Sequence, residues 1–308
     1  MLTLRQLRYF SALAATRHFG RAAGLAGISQ PALSMQLKEM EAKLRGPLVE
    51  RTPTGATLTE LGRQVAERSG RILSAMRDLE ELPRAHGAVL DGPLRLGIIP
   101  SVAPYLLPGL LDRTEKRYPA LSLVVRETVT ATLVSELADG SLDAIVASLP
   151  LGTGELAEAA AFEDRFLLAA PAGSPHAATT PAMAELIDAD ELLLLEDGHC
   201  LRYQALAICR TIDPRRLRSF GATSLATLLQ LVAAGKGITL APELALAAGA
   251  VSDKRLRLVR FAEPQPFRMI GVAWRRSSPR ERDYRALADL MTSCRPTVGG
   301  HDTPLEHG

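Results

Sequence analysis

The chain has 308 residues, 47% of them apolar and 23% charged, with a formal net charge of +2. That is the profile of a globular protein with room for two domains, and it excludes disordered and fibrous classes. No apolar run approaches the roughly 18 residues of a membrane span, and the start Met1-Leu2-Thr3-Leu4-Arg5-Gln6-Leu7-Arg8 has no signal-peptide core, so a cytoplasmic protein with no membrane partner is expected. Three cysteines in such a chain imply a reducing compartment, where a disulfide is transient or sensory. His18, His86 and His176 are scattered without ligand spacing, so neither a metal nor a cofactor is expected. Charge is unevenly shared: residues 1–90 hold 13 Lys and Arg against 8 Asp and Glu, the remainder 23 against 26. A basic N-terminal unit on a mildly acidic larger one suggests a nucleic-acid reader joined to a regulatory domain.

Leu4, Leu7, Phe10, Leu13 and Ala14 recur at helical spacing, and Phe19, Ala22, Ala23 and Leu25 make a second, short helix. Gly27 turns the chain and Ser29 caps a third helix, which carries Pro31 in its first turn and an inward stripe of Ala32, Leu33, Leu37 and Met40. After Gly46-Pro47, Leu48–Arg51 and Ala56–Thr59 form a small hairpin around Thr52-Pro53-Thr54-Gly55. Two short helices, a tight turn, an outward polar helix and a wing are the organisation of a winged helix-turn-helix; a plain helical bundle is the alternative. The stretches Arg21-Ala22-Ala23, Ile28-Ser29-Gln30-Pro31-Ala32-Leu33-Ser34 and Leu48-Val49-Glu50-Arg51 closely resemble the N-terminal domain of LysR-type transcriptional regulators. The resemblance implies that the third helix enters the major groove of promoter DNA with Gln30, Pro31, Ser34, Met35 and Lys38, while Arg51 in the wing approaches phosphate. Gln30 has the chemistry to read an adenine edge, Met35 only to touch a thymine methyl, and Lys38 and Arg51 to set position.

From Leu58 the positions Leu61, Val65, Ser69, Ile72, Met76, Leu79 and Leu82 step by three and four, giving a long helix with a coiled-coil-like seam, and Pro83, Gly87 and Asp91-Gly92-Pro93 end it at a hinge. In a DNA reader such a helix is most simply a dimer interface, with packing against its own chain the alternative.

Short apolar strands then alternate with helices: Leu94–Ile99, a helix after Pro104, Leu121–Val125, Thr130–Asp139 and Leu142–Ala147. The pattern restarts with Leu192–Leu195, a helix from Cys200, a strand near Leu217–Phe220, the helix Leu225–Ala234 and the strand Ile238–Leu240. Two βαβ halves of parallel sheet with a cleft between them predict ligand capture at strand C-termini, where Ser101, Thr130, Thr223 and Ser224 fall. The arginines Arg275, Arg276, Arg280 and Arg282 read as solvated surface, and Cys294, near the polar tail, as incidental.

Cys200 and Cys209 stand nine positions apart on the expected helix, on opposite faces and about 14 Å apart along its axis. A disulfide needs Cα atoms about 4.4–6.8 Å apart, so the pair could bond only if the helix unwinds; two buried structural cysteines are the alternative. Local chemistry favours a switch. Cys200 lies in the first helical turn beside His199 and Arg202, where unpaired amides and positive charge favour a thiolate, with Asp197 a candidate N-cap. Cys209, beside Ile208, looks buried and unactivated, the asymmetry of an attacking and a resolving thiol.

The runs Gly97-Ile98-Ile99-Pro100-Ser101-Val102-Ala103-Pro104-Tyr105, Leu195-Glu196-Asp197-Gly198-His199-Cys200-Leu201-Arg202 and Ala222-Thr223-Ser224-Leu225 resemble OxyR-like peroxide sensors within the LysR family. The resemblance covers residues 1 to about 292. It implies a winged helix-turn-helix domain (1–58), a linker and dimerisation helix with hinge (59–92), a periplasmic-binding-protein-like α/β regulatory domain of two βαβ subdomains (93–295) and a disordered tail (296–308). It also implies that hydrogen peroxide oxidises Cys200 to a sulfenic acid, that Cys209 resolves this as a disulfide, and that a thiol-reducing system resets it. Ser101, Thr130, His199, Arg202 and Thr223 would surround the peroxide. A homotetramer built from dimers and contact with RNA polymerase are further implications. Ser101 replaces the usual threonine and Tyr203 a common aspartate, which puts the switching rate in question. A LysR-type regulator with an organic effector in the cleft stays open. So does a thiol peroxidase using Cys200, against which stand the helix-turn-helix and the absence of P-loop, HExxH, GxSxG and CxxC motifs. A solute-binding protein would need an export signal.

Overall fold

Helix α1 (Leu4–Thr16) starts at Thr3, whose hydroxyl accepts from Gln6 N while the Gln6 side chain accepts from Thr3 N, a capping box. Helices α2 (Phe19–Leu25) and α3 (Gln30–Leu44) follow, the second capped by Ser29 on Ala32 N with Pro31 in its first turn. Leu7, Phe10, Leu13, Phe19, Ala22, Leu33, Leu37 and Met40 close one core, and β1 (Val49–Thr52) pairs antiparallel with β2 (Gly55–Leu58) as a wing beside it. The structure is a computed structural model that describes residues 1–52, 55–85, 87–209, 220–249 and 253–296. The wing turn at Pro53 and Thr54, the strand expected at Leu217–Phe220 up to residue 219, His86, and the tail from residue 297 lie outside the described residues.

The linker helix α4 (Glu60–Ala85) differs from its expectation in two ways. It continues two residues past Pro83. The single expected seam also divides between two faces. Val65 and Leu61 pack on the winged core, and Ser69, Leu73, Ser74 and Asp78 are buried on their own chain, whereas Ile72, Leu79 and Leu82 are exposed. The reason is a weld to the following domain: Asp78 Oδ1 pairs with Arg275 Nη2 at 2.9 Å and its Oδ2 accepts from Ser277 Oγ at 2.8 Å. Arg275 Nη1 also donates to the carbonyls of Leu137 and Leu142. Gly140 lets the backbone come close, since a Cβ there would lie 2.2 Å from an Arg77 guanidinium nitrogen. Arg275 and Arg280 are therefore buried, not solvated; Arg280 pairs with Asp283 and donates to Pro93 O and Asp91 O. The segment read as a hinge is held at both ends.

Beyond it, β3 (Gly92–Ile98), α5 (Ala103–Arg117), β4 (Leu121–Glu127), α6 (Thr130–Ala138) and β5 (Ala144–Leu149) make the expected parallel unit. Strand β6 (Leu156–Pro171) was not anticipated, because its mixed Ala and charged sequence has no clean alternation. It runs through both halves of the domain. A short helix α7 (Pro175–Ala178), α8 (Cys200–Ile208), α9 (Leu225–Ala233), β7 (Thr239–Pro242), α10 (Glu243–Ala247), β8 (Leu256–Arg260), β9 (Phe267–Arg275) and α11 (Glu281–Cys294) complete the order. The strands line up β4-β3-β5-β9-β6-β7, with β8 also on β6.

The second half is not the parallel sheet expected: β7 and β8 both pair antiparallel with β6. Leu192–Leu195 is an extended segment rather than a strand, joined to Ile238 by one parallel bridge, with Glu196 N donating to Ala222 O. Each half has its own core. Phe162, Ile270, Trp274 and the β3–β5 side chains fill the first, and Phe166, Leu168, Leu192–Leu195, Leu201 and the α9 leucines the second.

Candidate redox site and nucleic-acid face

The turn into α8 requires Gly198, whose φ of +94° is left-handed territory. His199 is the N-cap and makes no side-chain cap; Asp197, expected to cap, instead pairs with Arg202 at 2.8 Å. Cys200 is the first helical residue, in a first turn free of acidic side chains, so the unpaired amides and helix dipole favour an anion there. Its sulfur lies 3.8 Å from Ser101 Oγ. Ile99, Pro100 and Ser101 after the end of β3, Val129 and Thr130 at the start of α6, and His199, Cys200 and Leu201 line a tightly closed cleft between the two halves. Thr130 Oγ1 is buried in its wall with no hydrogen-bond partner.

Of the five residues expected around a peroxide, the cleft gathers Ser101, Thr130 and His199. The other two are corrections. The Arg202 guanidinium is taken up by Asp197 and Leu195 O, on the far side of the helix start. Thr223 is exposed, because the Ala222 O bond to Glu196 N pins its segment beside residue 196 while Ser224 turns to cap α9. Tyr203 is exposed and its phenol oxygen accepts from Gly198 N at 3.4 Å, tying the helix to the turn before it.

Two residues that sequence reasoning missed complete the site. Arg268 on β9 and Asp164 on β6 are register partners, 1% and 0% exposed as side chains, joined at 2.9 Å. Asp164 Oδ1 also accepts from Leu244 N. Arg268 Nη1 donates to Ser101 Oγ at 2.7 Å and Nη2 to Ser101 O at 3.2 Å. With an acceptor site of Ser101 occupied by the guanidinium, its hydroxyl hydrogen is left to point at sulfur. Arg268, set between Phe267 and the apolar run from Met269, was the available signal, but neither strand had been recognised.

Cys209 caps the far end of α8, 1% exposed in the second core, and all three cysteines are free thiols. Burial, with Glu185 adding to it, pushes the Cys209 thiol up to about 11. Burial raises Cys294 as well.

On α3, Gln30, Pro31, Met35 and Lys38 are exposed together and Ser34 is half-buried among them. Arg51 in the wing lies 4.5 Å over the Phe19 ring and reaches Ser34 Oγ at 3.5 Å, so helix and wing form one surface. Gln36 on the same helix turns inward, its Oε1 accepting from Gln6 Nε2 at 3.3 Å.

Residues 4–63 match the bacterial regulatory helix-turn-helix protein, lysR family, and residues 87–294 the LysR substrate binding domain. The chain is 40% identical over 294 residues to the "Probable hydrogen peroxide-inducible genes activator" of Streptomyces viridosporus, covering 94% of this chain and 93% of that protein. It is 35% identical over 300 residues to the DNA-binding transcriptional dual regulator OxyR of Escherichia coli K12, covering 97% of each. Among solved structures, a full-length OxyR cysteine-to-aspartate variant from Pseudomonas aeruginosa superposes with a TM-score of 0.80 at 33% identity, over 96% of this chain and 97% of that one. A hydrogen-peroxide-bound OxyR cysteine mutant from Corynebacterium glutamicum gives 0.66 at 32% identity, over 95% and 92%. Together with the helix-turn-helix, the wing and the two-halved α/β domain, these matches make the chain a member of the LysR family of bacterial regulators.

Proposed function

We propose that this protein is a DNA-binding transcriptional regulator that senses hydrogen peroxide through Cys200 and Cys209. The observation that carries the proposal is the cleft at Cys200. A sulfur at the start of a helix, 3.8 Å from the Ser101 hydroxyl, faces a cleft that holds one buried, unpartnered hydroxyl on Thr130. The cleft is closed tightly around the sulfur and leaves no free room for an organic effector. That favours peroxide over an organic effector at this place. The Cys200 thiolate attacks one peroxide oxygen, giving the sulfenic acid and, after protonation, water. The Cys209 thiol then displaces the hydroxyl from sulfur as a second water, leaving the disulfide. Thiol reductants of the cytoplasm return both groups to thiols.

Gln30, Pro31, Ser34, Met35 and Lys38 on α3, with Arg51, form the surface for double-stranded promoter DNA. The exposed row Ile72, Leu79 and Leu82 on α4 is the contact for a second copy, and a tetramer would engage RNA polymerase. The functional units are 1–58, 59–92 and 93–295. Mass spectrometry of the Cys200 and Cys209 peptides after brief micromolar peroxide, with promoter footprinting of the same samples, tests this. A rapid disulfide with an altered footprint, both lost in Cys200→Ser, is expected. Thiols that stay reduced would refute the sensor.

A further inference from the structure

Forming a Cys200–Cys209 disulfide brings together two residues at opposite ends of α8, about 14 Å apart along a helix of nine residues, so the helix must open. What holds it closed is therefore part of the reaction. Arg202 and Tyr203 tie α8 only to its own preceding turn. Among the described residues, one nitrogen–oxygen hydrogen bond joins α8 to the other half of the domain: Gln204 Nε2 donates to Ser148 Oγ, near the end of β5, at 2.7 Å. Gln204 is the fifth residue of the helix and must move whichever end unwinds. Its other amide atom, Oε1, is buried with no partner. Turning the amide over exchanges donor and acceptor and keeps the count at one bond made and one buried polar atom unmet.

We infer that the Gln204–Ser148 bond is the latch that keeps α8 wound and so sets the rate at which Cys209 reaches an oxidised Cys200. The inference rests on the peroxide-sensing proposal for its reaction, Cys200–SOH plus Cys209–SH giving the disulfide and water, but not for the latch itself. Gln204 is a positioning residue: it bonds Ser148 and does not line the cleft at Cys200. The unmet carbonyl makes the latch weak, because unwinding loses one hydrogen bond but returns a stranded polar atom to water. Ser148→Ala strands the whole Gln204 amide, whereas Gln204→Met removes the bond and the stranded atom together in a side chain of similar length.

The test uses the full-length reduced protein and two clocks. Dimedone labelling of Cys200 in a Cys209→Ser background times sulfenic acid formation, and acid-quenched mass spectrometry times disulfide formation. Ser148→Ala is expected to form the disulfide about tenfold faster with unchanged sulfenic acid formation. Its midpoint against glutathione should fall by about 30 mV, the equivalent of tenfold for a two-electron couple. Ser148→Thr, which keeps the hydroxyl, should return to the parent rate, and Gln204→Met, which removes the bond and the stranded oxygen together, should be faster than the parent but by less than Ser148→Ala. Ser148→Ala at the parent rate, or Gln204→Met no faster than the parent, overturns the latch. Alkylation of Cys209 in a Cys200→Ser background reads helix opening with no peroxide present. Accelerated alkylation in Ser148→Ala alongside a Cys200 that peroxide never oxidises would leave the latch standing and refute the sensor.

Discussion

The burial of Cys209 makes a quantitative statement about how α8 opens. Its thiol is raised from an ordinary 9.0 to about 11, chiefly by burial in the second core and secondarily by Glu185. A raised pKa on an acid means that the wound helix keeps its proton where the unwound chain gives it up. The stabilisation is fully present below pH 9 and is lost as pH rises from 9 through 11, amounting to about 3 kcal/mol, or roughly a hundredfold in the opening equilibrium. Iodoacetamide reacts with the thiolate of the opened segment. In a Cys200→Ser protein, the alkylation rate of Cys209 should therefore rise about tenfold per pH unit from 7.5 to 10.5 without levelling. A free peptide spanning residues 197–212 should level off near pH 9, the unperturbed value. Peptide mass spectrometry keeps Cys209 separate from Cys294, and circular dichroism checks that the fold survives. A plateau near pH 9 in the folded protein would mean that the thiol is not sequestered by α8, and the burial reasoning would fall.

Lys38→Ala and Arg51→Ala should each weaken promoter binding about equally across sequences and reduce the slope of log affinity against log salt by about one, measured by fluorescence anisotropy; an unchanged slope would remove that residue from phosphate. Arg275→Met takes from buried Asp78 its counter-charge and from the Leu137 and Leu142 carbonyls one donor each, so thermal unfolding should register a loss of about 3 kcal/mol. Oxidised and reduced footprints of that variant should converge while Cys200 still oxidises, because α4 is no longer fixed to the regulatory domain. Asp164→Asn should slow disulfide formation relative to sulfenic acid formation, since Arg268 then has only Ser101 and the Cys200 region to compensate its charge. Unchanged partitioning between the two steps would disprove that coupling.

How much of this was legible beforehand depended on the range of the interactions. The winged head was almost fully readable, because caps such as Ser29 on Ala32 and stripes such as Leu33, Leu37 and Met40 are local signals. The parallel β3–β5 unit was readable for the same reason: its strands are short apolar runs between helices. Apart from local slips such as the Asp197 cap and the stop at Pro83, the failures are long-range. Asp78 and Arg275 are nearly two hundred positions apart, and neither helical periodicity nor charge pattern announces that they will meet. Arg275 and Arg280 sit in an arginine-rich stretch that looks like surface until β9 and α11 fold it inward. Thr223 was assigned to the cleft as a polar residue at an expected strand end, and that strand falls where the structure describes nothing before residue 220. Cys200 was legible because its chemistry is set by its own helix terminus. Its partner Ser101, and the Arg268–Asp164 pair behind Ser101, depend on register between distant strands.

That pair explains why Cys200 can leave its place at modest cost. The two ends of α8 are seated in different cores: Cys200 packs against the first, Cys209 lies within the second. A disulfide must take one of them out. If Arg268 were balanced by the Cys200 thiolate, withdrawing the sulfur would leave a buried guanidinium without a counter-charge, a loss of several kcal/mol. Asp164 already neutralises Arg268 at 2.9 Å and is itself held by Leu244 N, so the charge stays compensated with or without sulfur. Ser101 likewise keeps its bonds from Arg268 when Cys200 departs. The first core therefore loses one half-buried side chain and a 3.8 Å sulfur contact, and no ion pair. Cys209, by contrast, is almost fully buried. The balance of costs makes the Cys200 end of α8 the one that travels, with Cys209 uncovered as the helix between them opens.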